Sequence, residues 1–199
     1  MGGVLSLAPI VSYAATPDPQ LERDLVALTN ADRTSNGVVA LLVDDRLVGA
    51  ARERSDDMVT RNYFAHEIPP TGTRVFDLIL SRGVDYEYAA ENIGFNNAPR
   101  GGSVQHIQGE FLRSPGHRTN LLRDRWSFIG VGAVPGTDRT LFTVLFMKPF
   151  PNDPAAQRLT PPAPTAVGPL SQPADSATSP IERVVDSVLG RSLGLPGLE

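Results

Sequence analysis

The sequence predicts an α+β fold, and three observations support this prediction. Four segments with the roughly 3.6-residue spacing of apolar positions typical of helices come first, before residue 116. Two runs rich in β-branched and aromatic residues, 127–134 and 139–147, flank a turn signal at 135–138, which is the pattern of a β-hairpin. The chain has no repeating strand–helix unit, so a doubly wound parallel sheet is disfavoured.

The first helix has clear start and stop signals. Asp18 is a suitable N-cap and Pro19 a suitable first helical residue, because proline lacks the N–H that the first turn leaves unbonded. The pair Asn36-Gly37 predicts a turn at the end of this helix. A short apolar run, 38–43, then leads to the second helix.

The second helix can be capped by Asp44 or Asp45 and reaches about Arg61. Five residues lie near one stripe of its surface: Leu47, Ala51, Ser55, Met58 and Val59. This spacing predicts a helix that packs one face against the rest of the domain.

The third and fourth helices also have candidate caps. Thr71 or Thr73 can cap the third helix, and Gly83 closes it at the position that favours a left-handed backbone. Ser103 can cap the fourth helix, which stops at Pro115 because the ring of proline cannot continue a helix.

The composition divides the chain into four parts. Residues 1–14 are apolar, uncharged and followed by a small residue, so we interpret them as a truncated signal peptide. Residues 18–150 hold the domain, and 151–178 form a linker rich in proline, alanine and serine. The segment 179–192 has a capping box and helical apolar spacing, which predicts an amphipathic tail helix. This helix is expected to contact its own domain, a second copy or the cell envelope.

The composition also excludes several classes of function. The 199 residues include no cysteine, so there is no disulfide scaffold, thiol nucleophile or zinc ribbon. The formal net charge is -4, which provides no basic excess to neutralise phosphates, so no nucleic-acid partner is expected. Three histidines supply at most one His-rich site.

Two of the histidines and one glutamate occur in contexts typical of functional residues. His66 follows the second predicted helix, His117 follows the break of the fourth, and Glu91 lies between small and apolar residues. Imidazole nitrogens and a carboxylate form a sensible set for Zn²⁺ or a similar divalent ion. The same three residues can instead hold loops together by hydrogen bonds. Two histidines are a thin ligand shell, so any metal binding is expected to be weak and exchangeable.

Four segments resemble the bacterial members of the CAP superfamily (cysteine-rich secretory proteins, antigen 5 and pathogenesis-related proteins), whose module is the SCP domain. They are NYFAHEIPPTGTRVFDLILSRGV, AAENIGFN, GEFLRSPGHRTNLL and WSFIGVGAV. The resemblance covers about residues 21–150 in the family's order. It implies an α–β–α sandwich with a small, mainly antiparallel sheet between helical layers. It also implies a secreted protein of the extracellular space or cell envelope.

Family members carry a cleft with two histidines and two acidic residues. The resemblance matches His66 to the first histidine, Glu91 to one acid and His117 to the second histidine. The other acid is where this sequence departs, because Ser114 stands at that position. Glu110 lies nearby and can replace the missing acid. The cleft lining predicted in this way consists of Glu91, Asn92, Glu110 and Ser114, with His66 and His117 as the metal ligands.

The resemblance leaves three classes of function. The first is a secreted binding module that holds a divalent ion in the cleft and a lipid or other small apolar ligand in an adjoining groove. The second is a metal-dependent hydrolase, a peptidase or esterase, in which Glu91 or Glu110 serves as the base. The third is an extracellular structural or signalling module. Binding ranks first, because the sequence pairs Ser114 with no base and no orienting acid.

Overall fold

The structure is a computed structural model that describes residues 15–153 and 183–190. The helices of this part are α1 (Pro19–Ser35), α2 (Asp45–Thr60), α3 (Val75–Ser81), α4 (Arg100–Arg113) and α5 (Pro115–Leu122). The strands are β1 (Leu42–Val43), β2 (Glu67–Ile68), β3 (Thr73–Arg74), β4 (Tyr88–Asn96), β5 (Phe128–Pro135), β6 (Thr140–Lys148) and β7 (Arg183–Gly190). The predicted signal peptide 1–14 lies outside the described residues, as does the linker from residue 154 onward.

Five strands form the central sheet in the order β1-β5-β6-β4-β7. The two-residue strand β1 runs parallel to β5, and the other neighbours in this sheet are antiparallel. Strands β5 and β6 form the predicted hairpin, each within one residue of the predicted bounds. Strands β2 and β3 pair separately as a small antiparallel ladder that precedes α3.

One face of the sheet packs against α2 and α3. Because successive side chains of a strand point to opposite faces, β6 contributes alternate residues to this layer. The buried side chains of this core include Leu47, Ala51, Phe76, Leu145 and Met147. Each large apolar side chain that is buried here contributes about 1.5–3 kcal/mol to the free energy of unfolding.

The other face of the sheet packs against α1, α4 and α5. The intervening residues of β6, with apolar residues of the three helices, form a second buried core. Its members include Leu25, Ile107, Phe111, Phe142 and Val144. Helices on both faces of one sheet confirm the predicted α–β–α sandwich.

The helix caps show which local signals determine the fold. The Asp18 carboxylate accepts hydrogen bonds from Gln20 N at 3.0 Å and Leu21 N at 3.3 Å, as predicted for the N-cap of α1. Of the two candidate caps of α2, the structure uses Asp44, which accepts from Arg46 N at 2.9 Å.

The predicted start of the third helix is wrong by one to three residues. The helix begins at Val75, after Arg74, whose N–H donates to the Asp77 carboxylate at 2.9 Å. Thr71 and Thr73 do not cap it, because their hydroxyls hydrogen-bond to each other at 2.8 Å in the turn that joins β2 to β3.

The fourth helix also begins earlier than predicted. It starts at Arg100, and Ser103 lies inside its first turn, where its hydroxyl donates to Asn96 Oδ1 at 3.0 Å. The predicted break at Pro115 occurs, but Pro115 is also the first residue of α5. His117 therefore lies in the first turn of a helix that the sequence analysis did not predict.

The predicted tail helix 179–192 is wrong for the residues that the structure describes. Residues 183–190 form β7, which pairs antiparallel with β4. The segment contains three valines, whose branched Cβ favours strands over helices, and β4 offers an edge to pair with. A helix long and apolar enough to span a membrane does not occur within residues 15–153 and 183–190.

Candidate functional site

The candidate site is built on two successive residues of β4, Glu91 and Asn92. Glu91 pairs with Leu145 and Asn92 with Val144 on the neighbouring strand β6. Leu145 belongs to the core on the α2 side of the sheet, and Val144 belongs to the core on the α4–α5 side. Because cross-strand partners share a face, the Glu91 and Asn92 side chains point to opposite faces of the sheet.

On the α2 side, the Glu91 carboxylate lies between an imidazole and a guanidinium. His66 Nδ1 donates a hydrogen bond to Glu91 Oε2 at 2.6 Å. Arg54 Nε lies 3.3 Å from Glu91 Oε1. This second contact is an ion pair without hydrogen-bond geometry. Side-chain exposure is 0% for Arg54 and 1% for Glu91, so the pair is withdrawn from water.

The turn after α2 brings His66 to this carboxylate. Asn62 has a left-handed backbone, with φ of 51°, and asparagine tolerates this conformation better than most residues. Tyr63 N then donates to Met58 O at 3.1 Å, which folds the chain back along the helix. The residues that follow Tyr63 place His66 directly before β2.

Arg54 is fixed by three groups at once. Besides Glu91, its Nη1 donates to the Tyr63 hydroxyl at 2.5 Å and its Nη2 donates to the carbonyl oxygen of Ala65. The Tyr63 hydroxyl in turn donates to the Asp57 carboxylate. Burial and the hydrogen bond to Asp57 raise the pKa of Tyr63 to about 12, so the phenol stays protonated at neutral pH.

On the opposite face, amide side chains hold α5 against β4. Asn92 Nδ2 donates to the carbonyl oxygen of His117 at 3.1 Å, and Asn120 Nδ2 donates to Asn92 Oδ1 at 2.8 Å. The imidazole of His117 is fully buried, and its centroid lies 5.2 Å from that of Phe111. Asn92 thus has a clear structural role in positioning the helix that carries His117.

The two candidates for the missing acidic position lie at the junction of α4 and α5. Ser114 is both the C-cap of α4 and the N-cap of α5, and its carbonyl oxygen accepts from Arg118 N at 2.8 Å. The Glu110 carboxylate forms an ion pair with Arg113, one turn along α4. Glu110 is therefore already paired with a cation.

The donor set does not fit a tightly bound metal ion. Within residues 15–153 and 183–190, the structure contains no group of three or more His, Asp or Glu side chains placed to hold one ion. The His66 imidazole contacts Glu91 on the α2 face of β4, whereas His117 contacts Asn92 on the other face through its backbone carbonyl. The Arg54 guanidinium also places a positive charge beside Glu91, where a cation would be repelled.

Sequence reasoning missed Arg54, although a signal for it exists. Leu47, Ala51 and Met58 follow the buried stripe of α2, and position 54 continues the same spacing. An arginine on such a stripe needs an internal counter-charge, because a buried unpaired charge is costly. That requirement points to a buried acid near α2, which in the structure is Glu91.

A three-layer α–β–α sandwich with two histidines beside one inner strand, β4, is the arrangement expected of an SCP-type domain. The cysteine-rich secretory protein (CAP) family model matches residues 26–146, and the chain belongs to this family. Among known proteins, YkwD of Bacillus subtilis (strain 168) is 38% identical over 113 residues, which cover 57% of this chain and 42% of that protein. The membrane protein YlbC of the same organism is 32% identical over 127 residues, with coverages of 64% and 34%. The chain thus spans less than half the length of either relative.

Solved structures show the same fold. An extracellular SCP-domain protein from Bacillus anthracis superimposes with a TM-score of 0.56 at 29% identity, covering 66% of this chain and 41% of that one. An outer surface protein from Borrelia burgdorferi gives a TM-score of 0.57 at 20% identity, with coverages of 68% and 98%. The similarity to the Borrelia burgdorferi protein shows a shared fold alone.

Proposed function

We propose that the protein is an extracellular binding module of the CAP family whose polar site works without a resident metal ion. The extracellular location is supported by the Bacillus anthracis relative, which is an extracellular protein. The apolar, uncharged sequence of residues 1–14 agrees with export. Binding without a resident metal is supported by one contact, that between Arg54 and Glu91.

In the Arg54–Glu91 contact, the protein itself supplies the positive charge that neutralises the Glu91 carboxylate. A buried carboxylate needs a compensating charge, and a metal ion or a basic side chain can each supply it. Arg54 supplies it here, fixed at the same time by Tyr63 and Ala65. The other partner of Glu91, His66, then needs no metal to be held in place, since the carboxylate accepts a hydrogen bond from its Nδ1.

Titration of Zn²⁺ into the full chain, followed by isothermal calorimetry, tests the proposal. We expect no saturable one-to-one binding to the wild-type chain, because the incoming cation would meet the charge of Arg54. The Arg54→Met variant should bind more strongly than the wild type. Arg23→Met is the matched control, since it removes an exposed arginine of α1 that hydrogen-bonds to Gln20, and it should behave as the wild type.

One outcome of the titration would contradict the proposal. It is one-to-one binding by the wild-type chain that disappears in His66→Ala. This comparison needs no substitution of Arg54, so it decides the question even if the Arg54→Met variant fails to fold.

The geometry gives the hydrolase alternative less support. A general base must be able to take up a proton from water or substrate. The Glu91 carboxylate is buried and already contacts both Arg54 and His66, and Glu110 is paired with Arg113. Neither carboxylate is placed to activate a water molecule in this arrangement.

A separate groove favours a small apolar ligand. It lies between α1 and α2, has a volume of about 290 Å³, and is lined by residues that include Val26, Val43, Val48 and Val131. Val43 is 47% exposed, which is unusual for an apolar side chain of this domain. Apolar walls combined with a few polar side chains, here including the buried Glu22 and its ion-pair partner Arg52, are typical of small-molecule sites.

Substitution of Val43 tests whether this groove binds apolar molecules. Val43→Asp should weaken binding of a fluorescent fatty-acid analogue to the full chain, because it places a charge in the apolar groove. Val39→Asp is the matched control, since Val39 is 66% exposed and does not line the groove. Equal binding by both variants and the wild type would remove the groove as the ligand site.

A further inference from the structure

The edge of β4 that faces away from β6 is paired along almost its whole length. All nine residues of β4 pair with β6 on one side, and Tyr88 to Phe95 pair with β7 on the other. We propose that this edge is an acceptor site for extended peptide segments and that Arg183–Gly190 is its exchangeable occupant. Such a site binds its ligand by adding a strand to the sheet, so main-chain hydrogen bonds supply much of the affinity.

The position of β7 along the chain allows exchange. The 29 residues 154–182 separate it from the rest of the described domain. Fully extended, a segment of this length reaches roughly 95 Å, whereas a domain of this size is roughly 40 Å across. The connection therefore does not force residues 183–190 onto β4. It keeps the segment at an effective concentration on the order of millimolar, which favours the intramolecular pairing without making it permanent.

The sequence of the occupant also favours exchange. Residues 179–190 combine a capping box with helical apolar spacing, while their valines favour a strand. The segment thus has a local preference that competes with its pairing in the sheet. Elements whose local and global preferences differ are weakly fixed in one conformation.

The register places the occupant at the candidate site. Ser187 pairs with Glu91 and Asp186 pairs with Asn92, and α5 lies against β7. An extended peptide on this edge therefore lies next to Glu91 and Asn92, the residues of β4 that contact His66 and His117. Successive side chains of an extended peptide on this edge would point alternately toward the face that carries Glu91 and the face that carries Asn92.

Proline substitutions in the full chain test the proposal. Successive N–H groups of a strand point to opposite edges, so one of Val184→Pro and Val185→Pro removes a donor to β4. That variant should bind a labelled peptide with the sequence RVVDSVLG about tenfold more tightly than the wild type, since its own segment competes less. In hydrogen exchange, its β4 amides should lose protection and regain it when the peptide is added.

Two controls keep this test decisive. Ala166→Pro places the same residue in the proline-rich segment and should bind the peptide as the wild type does. Excess peptide should also increase exchange at residues 183–190 of the wild-type chain, a measurement that needs no substitution.

Three results would overturn the proposal. The first is that neither Val184→Pro nor Val185→Pro binds the peptide although both variants are folded. The second is equal binding by the wild type and both variants. The third is a wild-type dimer that the variants lose, which would show that the strand on β4 comes from a second copy.

Discussion

Arg54 and Glu91 show how a single buried charge determines its surroundings. The guanidinium lies in the interior, where an unpaired charge would cost several kcal/mol, and it makes ionic or hydrogen-bonded contacts with Glu91, Tyr63 and Ala65. The sequence could identify Glu91 and His66 as polar residues of one site through the family resemblance. It could not show that they touch, because they are 25 positions apart along the chain, with β2, β3 and α3 between them.

Asp18 carries a prediction that depends on pH. Burial opposes ionisation of this carboxylate, but hydrogen bonds from Arg100, Leu21 and Gln20 together lower its pKa. The stability that it contributes is therefore present above the ordinary carboxyl pKa of about 4 and is lost as the pH falls through the lower folded-state pKa. We expect Asp18→Ala to lower the free energy of unfolding by about 1 kcal/mol at neutral pH.

Urea unfolding at neutral pH and at about pH 3 measures this effect. The difference between the wild type and Asp18→Ala should shrink at the lower pH. Asp138→Ala is the control, since its side chain is 77% exposed and its change should stay within about 0.5 kcal/mol. A penalty of equal size at both pH values would show that the charge of Asp18 does not contribute.

At the scale of elements, α2 packs closely against β5, and two glycines allow this. A Cβ at Gly130 would overlap the backbone of Leu47, and a Cβ at Gly132 would overlap the backbone of Ala51. The turn glycines have a different role: Gly37 and Gly83 have φ near +70°, where a side chain is strained. Glycines in turns and glycines at close contacts look the same in a sequence. The close approach of α2 to β5 could therefore not be predicted.

Alanine substitution of two glycines tests the packing of α2 on β5. Gly132→Ala should lower the free energy of unfolding by about 3 kcal/mol or more, because the helix backbone must move away from the strand. Gly102→Ala adds the same methyl group in the first turn of α4, where nothing lies within 4 Å, and should be neutral or stabilise by up to about 1 kcal/mol. Thermal or urea unfolding of both variants measures the contrast. Similar effects in the two variants would contradict the close approach.

Local signals predicted the elements well where a single residue determines the end of a helix. Asp18, Pro19 and the hairpin turn at 135–138 were sufficient for α1 and for the β5–β6 pair. The errors occur where tertiary contacts override such signals. Ser103 bonds to Asn96 at the end of β4 instead of capping a helix, and the valines of the tail pair with β4.

In the molecule as a whole, residues from both helical layers reach one strand of the sheet, β4. His66 contacts Glu91 of this strand, and the carbonyl oxygen of His117 accepts a hydrogen bond from Asn92 of the same strand. Strand alternation then divides their β4 contacts, Glu91 and Asn92, between the two faces of the sheet. The family resemblance pointed to this strand, but it did not predict the effect of Arg54 on the charge of the site.

A double-mutant cycle measures whether Arg54 is the counter-charge of Glu91. The free energies of unfolding of the wild type, Arg54→Met, Glu91→Gln and the double variant would be compared by urea unfolding. Each single substitution should cost about 3–5 kcal/mol, because it leaves the other charge buried and unpaired. The double variant should cost less than the sum of the two, with a coupling of about 2 kcal/mol. Strictly additive costs would contradict this role of Arg54.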